Sequence, residues 1–388
     1  MSDIPFNQPF ATGNEFTYIR EALEHGHLSG NGPFSDRCAR WLEQRMNSPH
    51  VLLTHSCTAA LEIAAMLAGV GPGDEIVMPS FTFASTANAF VLRGATPVFV
   101  DIRDDTLNLD ERQLSGAIGP RTKAIVPVHY AGVGCDMDSI LELAADVGAV
   151  VIEDAAQGLL ATYRGRELGS IGRLGALSFH ETKNVISGEG GALLVNDPDL
   201  IERAETMHEK GTNRRRFYRG EVDKYTWVDI GSSYAPSEII AAFLWAQLEQ
   251  ATEITGRRLR IWQLYHDAFS GAEQEGILRR PVVPADRTHN AHIYYVLLAD
   301  ERRRDGLIRD LAASGIRAVF HYVPLHSSEA GRVYGRSFGT LPVTDAVSAS
   351  LVRLPLWPGM SDEQVELVID ATLASVRPRG RRATSVQA

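Results

Sequence analysis

The residues best suited to catalysis lie between positions 150 and 191, where the chain reads VVIEDAAQG, LGALSFHETKN and GEGGALL. Asp154 ends a run of apolar, β-branched residues that predicts a buried strand. Lys183 follows on a loop after another such run. Because the carboxyl ends of parallel strands meet at one edge of an α/β sheet, we expect this acid and this amine to converge on one ligand.

Pyridoxal 5′-phosphate is the cofactor that needs this pair of side chains. It forms a Schiff base with a lysine, and a carboxylate keeps its pyridine nitrogen protonated. The protonated ring withdraws electrons from the carbon that bears the amine, so that carbon loses a proton more readily. Asp154 and Lys183 together therefore predict a pyridoxal phosphate site.

A phosphate-binding site is predicted at THSCTAAL, residues 54–61. Ser56 and Thr58 open a predicted helix there, and the free N–H groups and dipole of a helix start attract anions. Ser178, at the end of the strand before the lysine, can donate a further hydroxyl.

An aromatic side chain for the cofactor ring is expected from PSFTFAST, residues 79–86, where Phe81 or Phe83 can stack on it. Taken singly, residues of these types more often serve as core residues, helix caps or solvated charges. The order of the motifs along successive predicted strand ends is what favours a cofactor site.

A doubly covered α/β sheet is predicted to position these residues. From about residue 50, short apolar runs alternate with longer helical stretches, which is typical of a mostly parallel sheet with helices on both faces. The predicted strands are Val51–Thr54, Glu75–Pro79, Thr96–Asp101, Lys123–His129, Ala149–Asp154, Ala176–Phe179 and Ala192–Asn196. The predicted helices are Thr58–Ala68, Thr82–Arg93, Asp136–Val147 and Pro236–Leu248, with helical character continuing through Phe269.

A second, smaller α+β domain is predicted at the C-terminal end of the chain. Its expected elements are a strand at Ile293–Leu298, a helix at Arg302–Ser314, a strand near Arg317–Tyr322 and a helix at Asp362–Ser375. We expect the large domain to span residues 1–255, the small domain residues 256–376, and a flexible tail residues 377–388.

Composition excludes several classes of protein. The 388 residues are 44% hydrophobic and carry a net charge of −10, which argues against a nucleic-acid partner because phosphate backbones need a basic surface. No run of 18 apolar residues is present, so we expect no membrane partner, and the N-terminus has no secretory pattern. Three scattered cysteines predict neither disulfides nor a metal site, which favours the cytoplasm.

Long stretches of the sequence resemble the DegT-type sugar aminotransferases, a branch of the fold-type-I pyridoxal phosphate enzymes. Within that family the chain is most similar to the dTDP-4-amino-4,6-dideoxygalactose transaminases. The stretches that carry the resemblance are VLLTHSCTAALE, PSFTFASTANAFVLRGA, FVDIRDDTLNLD, AIVPVHYAGV, VIEDAAQG, SFHETKN, EKGTNR, DKYTW and VFHYVPLH.

The resemblance implies a role for each cofactor residue. Lys183 would bind the cofactor and act as general base and acid, Asp154 would pair with the pyridine nitrogen, and Gln157 would hydrogen-bond the ring hydroxyl oxygen. The residues implied to hold the phosphate or stack on the ring are Cys57, Thr58, Ser178 and Phe83.

The resemblance also implies a substrate side and a homodimer with shared active sites. His326, Tyr322 and Asn184 would lie toward the substrate. Many family members use an asparagine to reach the partner's cofactor phosphate, but here the stretch is DIGSSYAPSE with Ala235 at that position. Ser232 or Ser233 can substitute, because a hydroxyl donates the same hydrogen bond.

The expected reaction is transamination of a nucleotide-linked 4-keto-6-deoxyhexose, dTDP-4-keto-6-deoxy-D-glucose in particular, with L-glutamate as amino donor. The products would be the 4-amino-4,6-dideoxyhexose, of galacto or gluco configuration, and 2-oxoglutarate. Two alternatives stay open: a 3-aminotransferase acting on a 3-keto sugar nucleotide, and a pyridoxal-binding regulator without turnover.

Overall fold

The computed structural model describes residues 3–377. Its strands are β1 (His50–Thr54), β2 (Glu75–Pro79), β3 (Thr96–Val100), β4 (Thr122–Ile125), β5 (Val150–Asp154), β6 (Thr162–Tyr163), β7 (Arg166–Glu167), β8 (Leu174–Ser178), β9 (Gly191–Val195), β10 (Leu278–Arg279), β11 (Arg287–Thr288), β12 (Tyr294–Leu298), β13 (Arg336–Ser337) and β14 (Leu351–Leu354). Its α-helices are α1 (Glu15–His25), α2 (Pro33–Met46), α3 (Cys57–Leu67), α4 (Ala84–Val91), α5 (Leu114–Ala117), α6 (Met137–Val147), α7 (Ile201–His208), α8 (Arg214–Tyr218), α9 (Glu238–Glu249), α10 (Ala251–Ala268), α11 (Ser270–Gln274), α12 (Arg304–Ala313), α13 (Glu329–Tyr334), α14 (Pro342–Ser350) and α15 (Asp362–Val376).

The large sheet has the strand order β1-β9-β8-β5-β4-β2-β3-β13. Only β9 runs antiparallel to its neighbours, and the remaining pairs are parallel. Strands β8 and β9 are buried along their whole length, as expected for strands covered on both faces. The predicted α/β class with a mostly parallel sheet is confirmed.

Helix α3 shows how this sheet positions the functional residues. Its sequence CTAALEIAAML is apolar on nearly all sides, and it packs against α4, β8 and β9. Because it follows directly on β1, its first turn lies at one edge of the sheet. Among the described residues, no helix has the length and apolarity needed to cross a bilayer.

A smaller antiparallel sheet of order β10-β12-β14 organises the C-terminal part of the chain. Its hydrophobic core is separate from that of the large sheet and includes Trp262, Tyr265, Leu311 and Val352. The division at residue 255 falls inside the continuous helix α10 and stays a prediction. Residues 378–388 of the predicted tail lie outside the described residues.

The strand predicted near Arg317–Tyr322 is wrong. Among the described residues, this segment forms one isolated bridge, of Val319 with Arg353. The edge of β12 is instead occupied by β14, which pairs antiparallel along four residues. The 317–322 segment lies beside the other edge of β14, where Val319 and Arg353 exchange two backbone hydrogen bonds without extending into a continuous ladder.

Two other predicted elements differ at their ends. The helix expected at Thr82–Arg93 begins at Ala84, because Phe83 has extended φ and ψ angles of −77° and 149°. Strand β4 ends at Ile125 rather than at residue 129, because Pro127 has no N–H to continue the ladder.

Candidate active site

Lys183 lies in the loop between β8 and β9 and lines a cavity of about 420 Å³. The loop is closed by its own backbone, since the N–H of Lys183 donates to the carbonyl of His180 at 2.8 Å. The N–H of Ser187 likewise donates to the carbonyl of Phe179 at 2.7 Å. The amine is therefore presented from a tied loop at the carboxyl end of β8.

The electrostatic surroundings of this amine favour its neutral form. Burial lowers the pKa of Lys183, and the positive charge of Arg353 acts in the same direction. Cys57 and Asp154 act in the opposite direction, and the net shift of the pKa remains downward. A neutral amine is the form that attacks an aldehyde or accepts a proton.

Asp154 ends β5 and is only 5% exposed. Its Oδ2 accepts a hydrogen bond of 2.7 Å from the Thr86 hydroxyl, and its Oδ1 accepts one of 3.1 Å from the N–H of Ala156. Because an ionised carboxylate has about four acceptor positions, both oxygens retain capacity for a cationic ligand. The carboxylate is thus buried, oriented and incompletely satisfied.

Gln157 also lines the cavity, and both the oxygen and the nitrogen of its side-chain amide are hydrogen-bonded. Its Oε1 accepts from the N–H of Ala131 at 2.7 Å, and its Nε2 donates to the hydroxyl of Tyr322 at 3.3 Å. The backbone bond assigns the amide orientation and keeps the donor nitrogen on the side of Tyr322. Burial raises the pKa of Tyr322, so its phenol stays neutral.

The first turn of α3 presents unused hydrogen-bond donors to the same cavity. Ser56 caps the helix with its side chain, and in the described part of the chain the N–H groups of Cys57 and Thr58 have no partner. The hydroxyl of Thr58 lies 2.9 Å from that of Ser85, and Ser178 lines the cavity nearby. Free amides, hydroxyls and the positive end of a helix dipole form an anion site.

Gly191 begins β9 and packs directly against this helix start. A Cβ at position 191 would lie 2.5 Å from the backbone nitrogen of Cys57 and 2.5 Å from the carbonyl carbon of Ser56. The last glycine of the GEGG run therefore allows the backbone of β9 to lie in close contact with the backbone at the start of α3.

The structure decides which predicted phenylalanine faces the cavity. Phe83, the residue before α4, lines it and is 63% exposed. Phe81 is 1% exposed and packs edge-on against Tyr130 and Tyr322 in the core. Stacking of Phe83 on a cofactor ring stays a prediction.

Three other residues that the sequence analysis assigned to the site do not line this cavity. Nδ1 of His326 is hydrogen-bonded to the hydroxyl of Ser80 at 2.8 Å. Asn184 is buried behind Lys183, where its amide donates to the Asn290 carbonyl at 2.7 Å. Ser232 is exposed on the surface. Their predicted roles toward substrate or partner stay predictions.

The structure adds cavity residues that the sequence analysis did not assign to the site. The clearest of them are Ser85, Thr86, His292, His321 and Arg353. Ser85 and Thr86 belong to the PSFTFAST motif, so their place in that motif was an available signal. The two histidines and the arginine belong to a distant part of the chain. His321 lies in the VFHYVPLH motif, which was an available signal, whereas His292 and Arg353 lie outside the motifs used in the sequence analysis.

The donor set fits pyridoxal phosphate. A buried amine, a buried carboxylate with spare acceptor positions and a helix start with free N–H groups share one cavity. Lys183 would hold the aldehyde carbon, Asp154 the ring nitrogen, and the first turn of α3 the phosphate. When bound, the cofactor supplies an electron-withdrawing ring that makes the amine-bearing carbon acidic.

Comparison with known proteins identifies the family. The profile of the DegT/DnrJ/EryC1/StrS aminotransferase family matches residues 10–373. The chain is 35% identical to GDP-perosamine synthase of Caulobacter vibrioides, over 96% of this chain and 98% of that protein. It also resembles the crystal structure of the aminotransferase TlmJ from Streptoalloteichus hindustanus, with a TM-score of 0.88, 33% identity, and coverage of 96% of this chain and 98% of that one.

A further solved structure bears on the cofactor. It is the PLP-form of Spr1654 from Streptococcus pneumoniae, with a TM-score of 0.88, 27% identity, and coverage of 96% of this chain and 98% of that one. The family is pyridoxal phosphate-dependent and has the type I fold, so both predictions are confirmed. The chain belongs to the DegT/DnrJ/EryC1/StrS family of sugar aminotransferases.

Proposed function

We propose that this enzyme transfers the amino group of L-glutamate to carbon 4 of a nucleotide-linked 4-keto-6-deoxyhexose, with dTDP-4-keto-6-deoxy-D-glucose as the expected substrate. The products are the 4-amino-4,6-dideoxyhexose, galacto or gluco at carbon 4, and 2-oxoglutarate. The observation that carries the proposal is the convergence of Lys183 and Asp154 on one cavity beside the free N–H groups of α3.

Each residue of the cavity has a separate role in the proposed reaction. Lys183, whose pKa is lowered by burial, accepts the proton from the amine-bearing carbon of the donor and returns a proton to carbon 4 of the sugar. Asp154 would hold the protonated ring nitrogen of the cofactor, and the hydroxyl of Thr86 donates a hydrogen bond to Asp154. Gln157, whose Nε2 donates to the hydroxyl of Tyr322, would also hydrogen-bond the ring hydroxyl oxygen.

The nucleotide part of the substrate is supported by a relative, since GDP-perosamine synthase has a sugar nucleotide in its name. Its nucleotide is GDP, whereas the sequence motifs favour dTDP. The test is therefore incubation of the purified enzyme and glutamate with matched dTDP- and GDP-linked 4-keto-6-deoxy sugars. NMR coupling constants at carbon 4 assign the configuration of the product.

The same assay separates the alternatives. Amination of a 3-keto sugar nucleotide in preference to the 4-keto sugar would replace the proposal with a 3-aminotransferase. Failure to form 2-oxoglutarate from glutamate, with cofactor bound, would favour a regulator without turnover. Turnover of the 4-keto sugar with formation of 2-oxoglutarate supports the proposal.

We also propose that the enzyme is a cytoplasmic homodimer whose partner completes each site. The three cysteines are free thiols, which suits a reducing compartment. Large apolar side chains are exposed in the chain segment that precedes Ser232, among them Trp227 at 77% and Tyr218 at 68%, which suits a covered surface. Equilibrium sedimentation tests the dimer, and a monomer with full activity would contradict it.

Shared sites can be tested by mixing two inactive variants. If Ser232 of one protomer reaches the cofactor phosphate of its partner, each active site needs Lys183 from one chain and Ser232 from the other. Lys183→Ala and Ser232→Trp then each impair a site through a different chain. Mixed dimers then regain activity in the one site whose lysine and serine are both intact. Absence of any regain in verified mixed dimers would contradict the cross-subunit role.

A further inference from the structure

A second cavity, of about 440 Å³, lies in the C-terminal part of the chain. It is bounded by helices α10 and α11 and by the segments that follow β10 and β11. Its volume falls in the range of about 300–1,000 Å³ that is usual for small-molecule sites. None of the residues that line this second cavity lines the cavity of Lys183, so the two are separate.

Aromatic rings form a wall of the second cavity. The ring centroid of Trp262 lies 4.4 Å from that of His266 and 4.4 Å from that of His289. The planes of Trp262 and His266 are 15° apart, and Tyr294 packs edge-on against Trp262 with centroids 5.4 Å apart. Val282, which is 44% exposed, adds an apolar side chain to the lining. Rings fixed in this way offer a surface on which a further flat ring can stack.

The lining of the second cavity carries no net charge at neutral pH. Burial lowers the pKa of His289 to about 4, and burial and the charge of Arg280 lower the pKa of His266. Both imidazoles are therefore neutral. Arg280 is paired with Glu273, to which its Nε donates at 2.7 Å. A charged ligand would lack a counter-charge here, so the enclosed part of the ligand must be uncharged.

Several N–H donors of the lining have no acceptor. Nδ1 of His289 accepts from the N–H of Ala291 at 3.3 Å, which places the proton of the neutral ring on Nε2. Arg280 donates from Nε to Glu273 and from Nη1 to the carbonyl of His266, and its Nη2 lies 2.7 Å from Glu273. Two of its five N–H groups are thus left without a partner in residues 3–377.

Gln263 supplies an acceptor to the same cavity. Its Nε2 donates to Oδ1 of Asp267 at 2.8 Å, and within the described residues its Oε1 accepts no hydrogen bond. The ligand that fits is therefore a flat, uncharged ring with carbonyl oxygens and an N–H along its edge. The 2,4-dione ring of thymine and uracil has such an edge. A metal ion does not fit, since residues 3–377 contain no cluster of three His, Cys, Asp or Glu side chains that could hold one.

We propose that the second cavity binds the uncharged base of a pyrimidine nucleoside or nucleotide. The base stacks on the aromatic wall, and stacking of bases on aromatic side chains is a general source of affinity. The N–H groups of His289 and Arg280 donate to its carbonyl oxygens, and Oε1 of Gln263 accepts from its N3–H. This binding does not depend on the proposed function, because the second cavity shares no lining residue with the cavity of Lys183.

The test is calorimetric titration of the holoenzyme with thymidine. Val282→Arg puts a long charged side chain into the second cavity, so we expect the affinity for thymidine to fall by at least about 10-fold. Leu367→Arg is the matched control, because Leu367 is 52% exposed and lies on α15 outside the second cavity. Its affinity for thymidine should equal that of wild type. Circular dichroism and thermal unfolding check that both variants are folded.

Two further comparisons test the hydrogen bonds of the base. His289→Phe keeps a ring and loses the Nε2–H donor, so we expect affinity to fall roughly 3- to 10-fold, as for loss of one neutral hydrogen bond. N3-methylthymidine lacks the N–H of the base, and we expect a similar loss with the unaltered protein. This second comparison needs no variant to fold.

Titration with dTDP separates the two sources of the base. Loss of one bound dTDP per protomer in Val282→Arg identifies a nucleotide as the ligand of the second cavity. Unchanged dTDP binding, together with weakened thymidine binding, identifies a free nucleoside. Either result supports the site.

Three results would overturn the assignment. One is the absence of thymidine binding at millimolar concentrations. Another is unchanged thymidine affinity in Val282→Arg, which would place the nucleoside elsewhere, for example in the cavity of Lys183. The third is equal affinity for thymidine and N3-methylthymidine, which would show that the edge of the base is not recognised. Failure of the enzyme to transaminate would contradict only the proposed function.

Discussion

The hydroxyl of Thr86 donates a 2.7 Å hydrogen bond to Oδ2 of Asp154, although the two residues are 68 positions apart in the chain. Both side chains are buried, and Thr86 lies in turn 2.8 Å from the hydroxyl of Thr82. A helix start is thereby joined to the end of a strand. The carboxylate expected to face the cofactor nitrogen is oriented by a neighbouring element of the fold.

Removal of this hydroxyl should weaken cofactor binding. Thr86→Val keeps the shape of the side chain and loses the bond, so we expect the dissociation constant for pyridoxal phosphate to rise about 10-fold, equivalent to about 1.4 kcal/mol. Equilibrium dialysis of the apoenzyme measures it. Thr86→Ser restores the hydroxyl and should recover most of the affinity, whereas equal affinity in Thr86→Val and wild type would contradict the role.

Replacement of Lys183 should abolish turnover. Lys183→Ala removes both the covalent attachment and the proton carrier, and loss of acid–base catalysis alone costs about 10²–10⁴-fold. Steady-state formation of 2-oxoglutarate and the cofactor absorbance are the measurements. Lys123→Ala, at a lysine that does not line the cavity, is the control. Steady-state transamination by Lys183→Ala would refute the assignment.

The lowered pKa of Lys183 predicts how the apoenzyme captures its cofactor as pH changes. Only the neutral amine attacks an aldehyde, so the capture rate should rise with pH through the pKa of Lys183 and then level off. Because burial lowers that pKa from the ordinary value of 10.5, the rise should occur at lower pH than for a free lysine. Stopped-flow mixing across a pH series measures the midpoint.

Two variants are expected to shift the midpoint of this pH dependence in opposite directions. Asp154 raises the pKa of Lys183, so Asp154→Asn should move the midpoint to lower pH. Arg353 lowers the same pKa, so Arg353→Gln should move the midpoint to higher pH. Shifts of the opposite sign, or a wild-type midpoint at that of free lysine, would show that these charges do not act on the amine.

Gly191 should tolerate no side chain. In Gly191→Ala the added Cβ would lie 2.5 Å from the nitrogen of Cys57, so the strand and the helix start must move apart. We expect a loss of about 1–3 kcal/mol in the free energy of unfolding and weaker phosphate binding. Denaturant unfolding and inorganic phosphate titration measure both. Gly71→Ala has open space around its Cβ, and similar losses in that control would contradict the close-approach argument.

The sequence by itself determined the part of the site that lies at strand ends. Asp154, Lys183 and the first turn of α3 each follow a short apolar run, and that pattern is local. In a parallel sheet such ends meet at one edge whatever the details of packing. The α/β class and the cofactor could therefore be predicted before any distance was known.

Only the tertiary structure decided which side chains support and complete that site. Thr86 reaches Asp154 through packing of α4 on the sheet, and Arg353 reaches the cavity because β14 takes the edge of β12. The 317–322 segment has a strand-like sequence of its own, yet it meets β14 only through the bridge of Val319 with Arg353. Which distant segments pair with each other depends on burial and hydrogen bonding across the whole fold. A local sequence pattern therefore does not predict that pairing.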